Sequence, residues 1–343
     1  MKMSVPVSAD RLSKIRKILS LLGGPYMALL VLFIVCACSS EVFIKPENLL
    51  NICRQVSYSG IIALGMTFVI VAGGIDLSVG SLFAFCGVCA MLAIRNFTPV
   101  HAWAGMSPDT CGFLLGFAVS AGAGLLGGLI NGAVVVLGKI PPFIATLGTY
   151  SIFRSLALYL ADSGTISAEN YTRTPVLPAN QMLEKFGSFE IAGVSLPAIL
   201  LILLTVILGI LLGMTAFGRH VCAVGSSERV AHFTGIRVGL VRFSTYGIIG
   251  LCVGLSAILS AGRMGSVSST NAGMFYELDA IAAVIIGGAS MSGGRGTLRG
   301  TLAGILILGI VSNILDMWGV SATLQGLVKG LVIIISVLIQ KKG

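Results

Sequence analysis

Apolar runs long enough to cross a lipid bilayer follow one another along nearly the whole chain, and that recurrence constrains the fold more than any single motif. A transmembrane helix needs about 20 mainly apolar residues. Ten runs stand out, at roughly 22–40, 55–73, 79–95, 112–137, 142–160, 194–217, 240–262, 278–290, 297–315 and 322–340. Only 10% of the 343 residues are charged and 56% are hydrophobic, against roughly 25% charged in soluble domains. That leaves too little polar surface for a water-soluble globule. The expected fold class is therefore all-α, a polytopic membrane protein of about ten transmembrane helices. The run at 278–290 is short, and reads as a half-helix or a re-entrant segment buried in protein.

The formal charge is +9, from 22 Lys and Arg against 13 Asp and Glu. In a membrane protein the informative property is where the cations lie, since cytoplasmic loops collect them. Placing the basic tail, residues 1–21, in the cytoplasm puts fourteen Lys and Arg inside and six outside. Arg154 and Lys329 fall within runs. Both termini are then expected in the cytoplasm, with a single transmembrane domain over 22–340, a short tail at 341–343, an external loop at 162–194 and a basic internal loop at 217–242 that reads as a short helix between two spans. The first run is expected to be an uncleaved span rather than a signal peptide, because further apolar runs follow it. No nucleic-acid motif accompanies the positive charge, so no nucleic-acid partner is expected.

The eight cysteines suggest no framework: Cys36, Cys38, Cys86, Cys89 and Cys252 lie inside apolar runs, where free cysteine acts as a small hydrophobe. No HExxH, GxSxG or GxxxxGK[ST] pattern occurs, so the chain gives no sign of being an intramembrane hydrolase or of binding ATP itself. Gly60–Leu64 reappears as Gly247–Leu251, and Asn131 has a counterpart in Asn313. These pairs fit an inverted five-plus-five repeat; chance similarity between apolar helices is the other explanation. Gly122, Gly124, Gly127, Gly128 and Gly132 suit close helix packing.

Three segments carry the polar chemistry. The first is Gly73-Gly74-Ile75-Asp76-Leu77-Ser78-Val79-Gly80-Ser81, between the second and third runs. Asp76 or Ser78 can accept from free backbone N–H groups, so it reads as a capped, glycine-bent junction; a hinge or pathway element is the other reading. In the second, Glu277 and Asp279 open the short apolar run that ends at Gly287-Gly288, followed by Gly293-Gly294-Arg295-Gly296. Acids suit the positive end of a helix, and substrate contact is the alternative. Arg154 and Lys329 are read as snorkelling, pairing with a carboxylate or facing a polar cavity. The third is the internal loop. Ser226 or Ser227 can cap a helix over about Glu228–Phe233, and Gly235 can end it with a positive φ. Arg229 and Phe233 share a face of that helix, a combination typical of interface anchors; Phe233 packing back against the spans is the bland reading.

Residues 73–81 resemble the signature of ribose-type sugar permeases of bacterial ABC importers. The similarity runs from about Asn48 to the C-terminus. It includes Ile140–Gly148, with Phe143 and Thr146, the run 277–288, and the Gly-Gly-Arg-Gly turn at 293–296. The resemblance implies a permease subunit importing a ribose-like pentose or hexose across the bacterial cytoplasmic membrane by alternating access. It implies a second permease subunit, identical or paired, two ABC ATPase subunits that hold the ATP and Mg, and a periplasmic or extracellular sugar-binding protein; no cofactor and no metal is expected in this chain. Gly73, Gly74, Asp76, Ser78, Gly80, Phe143, Thr146, Glu277, Asp279, Gly287 and Gly288 become candidates for the translocation path or its hinges. The loop 217–242 would carry the coupling helix, where Gly225, Glu228, Ala231 and Gly235 match the family pattern, while Ser226-Ser227 and Arg229-Val230 depart from it; His232 and Phe233 complete the candidate set. The departures suggest a different ATPase partner rather than lost coupling. The rival class is a cation-coupled secondary sugar carrier, for which Asp76 and Asp279 are the candidate ion-binding carboxylates. A channel is disfavoured, since no filter motif is visible.

Overall fold

The computed structural model describes residues 24–98, 101, 105–169, 180–321, 324–331 and 334. Among these, seven helices are long and apolar enough to cross a membrane: α2 (Pro46–Val71), α3 (Val79–Phe97), α4 (Pro108–Val136), α5 (Pro142–Leu160), α7 (Leu196–Met214), α10 (Val238–Met264) and α12 (Leu298–Met317). Shorter helices are α1 (Gly24–Ser39), α6 (Gln181–Gly187), α8 (Ala216–Ser226), α9 (Glu228–Phe233) and α11 (Tyr276–Ile286).

Local chemistry sets the boundaries. Proline stands in the first turn of α2, α4, α5 and α7, where its missing N–H costs nothing. Ser107 caps α4 and Thr297 caps α12, each accepting a backbone N–H three residues on. α10 ends on Gly265 in the left-handed conformation.

α10 lies at the centre and packs on α2, α3 and α4. It meets α4 backbone to backbone: a Cβ on Gly124 would lie 2.3 Å from the Gly250 carbonyl oxygen, and one on Gly128 2.1 Å from that of Tyr246. The Ser120 hydroxyl adds a 2.8 Å bond to the Gly254 carbonyl. On Gly122 of the same glycine group a Cβ would meet nothing within 4 Å among the described residues. α7 turns Ile202, Val206 and Ile210 outward, an apolar face suited to lipid.

Several expectations change. The fold is not purely helical: β1 (Thr165–Ser167) pairs antiparallel with β4 (Ser266–Ser268), and β2 (Glu190–Ile191) with β3 (Val194–Ser195). α2 starts at Pro46 rather than near 55, so Arg54 lies in the helix, where it pairs with Glu190, instead of in a loop. The polar residues of this first stretch find partners far along the chain, as Asn48 does in Asn313. The internal loop holds two short helices, α8 and α9, not one. The short eighth run is the half-helix α11, 11 residues long. Residues 324–331 are helical; the tails 1–21 and 341–343 lie outside the described residues.

Candidate functional site: a broken-helix junction and a half-helix

Between α2 and α3 the chain leaves the helical path at residues 72–78, with Gly73 at φ +82°. Asp76 is fully buried there. Its Oδ1 accepts from the Ser78 N–H at 2.8 Å and the Ser78 hydroxyl at 2.7 Å. Its Oδ2 accepts from Asn131 Nδ2 of α4 at 3.2 Å, and the same amide donates to Ser78 Oγ at 2.7 Å. Ser78, the residue flanking the start of α3, makes no side-chain capping bond; Asp76 instead accepts from the N–H of Ser78 itself, bracing the junction just outside the helix. Burial pushes the Asp76 carboxyl up from its ordinary range, and the bonds from Ser78 and Asn131 pull it back down. The Tyr246 hydroxyl of α10 donates to the Ile75 carbonyl at 3.4 Å; Thr146 of α5 donates to Pro142 at 2.8 Å and reaches the same Ile75 carbonyl at 3.4 Å. Three helices therefore clamp one non-helical stretch.

The other glycine motifs meet the same end of the bundle. The Gly294 N–H donates to the Val71 carbonyl at 2.8 Å. Gly225, in the last turn of α8, lies so close that a Cβ would fall 1.8 Å from the Val71 oxygen and 2.6 Å from Gly294 N. Only glycine fits between these two backbones. Gly74 faces the Tyr246 hydroxyl in the same way, at 3.0 Å from its absent Cβ. Residues 71–78, 225–226 and 293–294, far apart in sequence, form one backbone-packed node.

α11 starts beside the junction. A Cβ on Gly80 would lie 2.3 Å from the Gly273 carbonyl and 2.4 Å from Glu277 Oε2, so Gly80 makes room for the half-helix entry. Glu277 Oε2 is buried and has no hydrogen-bond partner among the described residues. Asp279 forms a 3.0 Å ion pair with Lys329. Arg154 Nη1 donates to the carbonyls of Ser269 (2.8 Å), Thr270 (3.3 Å) and Ala272 (3.2 Å), which belong to the non-helical stretch leading into α11. The two cations flagged inside the runs thus have different partners, one backbone and one carboxylate. At the far end of α11, Gly288 turns at φ +88° while Gly287 packs on the Gly300 carbonyl. Phe143, in the first turn of α5, is exposed.

α9 projects from the node. Ser227 caps it, accepting from Val230 N–H at 3.3 Å, and Gly235 follows at φ +83°. Ser226 instead lies against Gly294. Glu228 in the first turn pairs with Arg242 at 2.8 Å. Ala231 is the buried anchor; Arg229, His232 and Phe233 face out, and Phe233 is 81% exposed. Packing of Phe233 against the spans is thereby excluded.

Polar junctions buried among membrane-length helices, with a half-helix entered from non-helical backbone, are the architecture of membrane transport proteins. Over residues 48–337 the chain matches the family described as the permease component of the branched-chain amino acid transport system, and it belongs to that family. It is 41% identical over 320 residues to the ribose import permease protein RbsC of Bacillus subtilis (strain 168), covering 93% of this chain and 92% of that one. The galactose/methyl galactoside import permease protein MglC of Escherichia coli (strain K12) is 32% identical over 318 residues, 92% of each chain. The fructose import permease protein FrcC of Rhizobium meliloti is 36% identical over 303 residues, 87% of this chain and 79% of that one. No solved structure matches the chain. The resemblance to ribose-type permeases read from the motifs is confirmed, and the family to which the chain belongs is one of transport-system permease components.

Proposed function

We propose that this chain is the membrane-embedded subunit of an ATP-driven importer of a monosaccharide, a ribose-like pentose or hexose, working by alternating access in the cytoplasmic membrane of a bacterium. The observation that carries the reading is the tie between an exposed docking helix and a buried break in the bundle: α9 continues from Gly225, and Gly225 is wedged against Val71 at the Asp76 junction. A partner pressing on α9 acts directly on the place where α2 becomes α3. The partner is a pair of ABC ATPase subunits, which hold ATP and Mg. A sugar-binding protein delivers substrate from outside, and a second permease subunit completes the membrane part. The loop 217–242 and both termini then lie in the cytoplasm, the loop 162–194 lies outside, and residues 22–340 form one domain of about ten spans built on a five-plus-five inverted repeat. The sugar class follows from the relatives named for ribose, galactose and fructose, against the amino-acid wording of the family description. A cation-coupled carrier is not favoured: Asp279 already has Lys329, and Asp76 already accepts three neutral donors.

Phe233→Ala tests the docking helix. Truncating an exposed aromatic anchor at an interface costs about 2 kcal/mol of binding, so co-purification of the ATPase with the membrane-inserted variant is expected to fall by roughly tenfold or more. Undiminished co-purification and transport in Phe233→Ala would remove α9 as the docking element.

A further inference from the structure

The stretch from Gly265 to Phe275 is non-helical and runs alongside α3, a helix long and apolar enough to cross a membrane. Val267 packs on Gly87, the middle of α3, and Gly273 on Gly80, near the start of that helix. The two contacts are about 10 Å apart along the helix axis at 1.5 Å per residue. Arg154 ties the same stretch to α5. Thr270 and Asn271 are nevertheless exposed, and so are Ser151 and Ser155, which lie on the open face of α5 to either side of Arg154. Irregular backbone with exposed polar side chains is not tolerated against hydrocarbon; at this depth it must be covered by protein or face water.

We propose that this strip lines the aqueous route of the solute, with Ser151, Ser155, Thr270 and Asn271 as its polar contacts. The inference deepens the importer reading and rests on it for the solute's identity. These exposed groups are three kinds of neutral donor and acceptor, a primary hydroxyl, a secondary hydroxyl and an amide, while the Arg154 guanidinium is engaged with backbone carbonyls. Such a lining suits a neutral polyhydroxylated solute and supplies no ion partner for a zwitterionic amino acid.

The test introduces Ser155→Cys and Asn271→Cys separately in the complete importer in membrane vesicles, with Val206→Cys on the outward face of α7 as the lipid-facing reference. A charged, membrane-impermeant methanethiosulfonate reagent is applied with and without ATP, and peptide mass spectrometry reads modification at each position. Because a hydrated thiolate attacks the reagent's sulfenyl sulfur, forming a mixed disulfide and expelling methanesulfinate, both strip positions are expected to react roughly tenfold or more faster than Val206→Cys in at least one condition. Rates no faster than the reference in both conditions overturn the route, whether or not sugar uptake is intact. Fast modification in an importer that accumulates no sugar upholds the route and instead overturns the importer reading.

Discussion

Asp76→Leu is expected to abolish transport, whereas Asp76→Asn keeps a measurable part of it. Leucine leaves the Ser78 N–H, the Ser78 hydroxyl and one Asn131 amide proton without their acceptor in a fully buried place. An orphaned buried donor costs about 1–3 kcal/mol, so the stretch 72–78 loses the interactions that hold it out of the helical path. Asparagine keeps one oxygen for the two Ser78 donors, and Asn131 Oδ1, which is buried with no partner among the described residues, can turn to accept from the new amide. The loss is then about one hydrogen bond. Uptake per inserted molecule and thermal stability in detergent separate the two variants. Equal and complete loss in both would show that the negative charge itself is required, and would revive the cation-coupled carrier.

Arg154→Met is expected to be nearly as severe. Its guanidinium holds two part-buried carbonyls, those of Ser269 and Ala272, and one exposed carbonyl, that of Thr270. Water can replace it at Thr270 but not readily at the other two. At about 1 kcal/mol for each part-buried acceptor left unmet, the stretch loses about 2 kcal/mol of its hold on α5. Transport should fall by more than tenfold with a lowered Tm, while Arg154→Lys, with three donors on a shorter reach, recovers part of both. A methionine variant with unchanged Tm and uptake would show that the backbone entering α11 does not depend on this tether.

Where chemistry is local, the sequence reads well. α5 occupies the apolar run at 142–160 and α9 the capped stretch at 228–233, because a proline, a serine cap and a terminal glycine act within a few residues of the helices they bound. The length of the short run at 278–290 pointed to a half-helix or a re-entrant segment, and the chain forms the 11-residue helix α11 there. The first turns of α2 were hidden because Asn48 and Arg54 look like loop residues until Asn313 and Glu190 are beside them. The stretch 265–275 also looks like a surface loop, rich in Ser and Gly. Its depth is set by Gly80, Gly87 and Arg154, all distant in sequence, though an arginine inside an apolar run was a signal that irregular backbone or a carboxylate lay nearby. The three glycine motifs could each be marked in the sequence; their meeting at Val71 could not, since it depends on how α8 and the turn at 293–296 stack on the end of α2.

The most direct measurement is solute uptake into proteoliposomes holding this chain, with its ATPase subunits and sugar-binding protein added or withheld. Accumulation of labelled ribose or a related monosaccharide is expected only with all components and ATP present, and imposed proton or sodium gradients should drive none through this chain alone. Robust gradient-driven accumulation without any ATPase would contradict the importer and identify the chain as a secondary carrier.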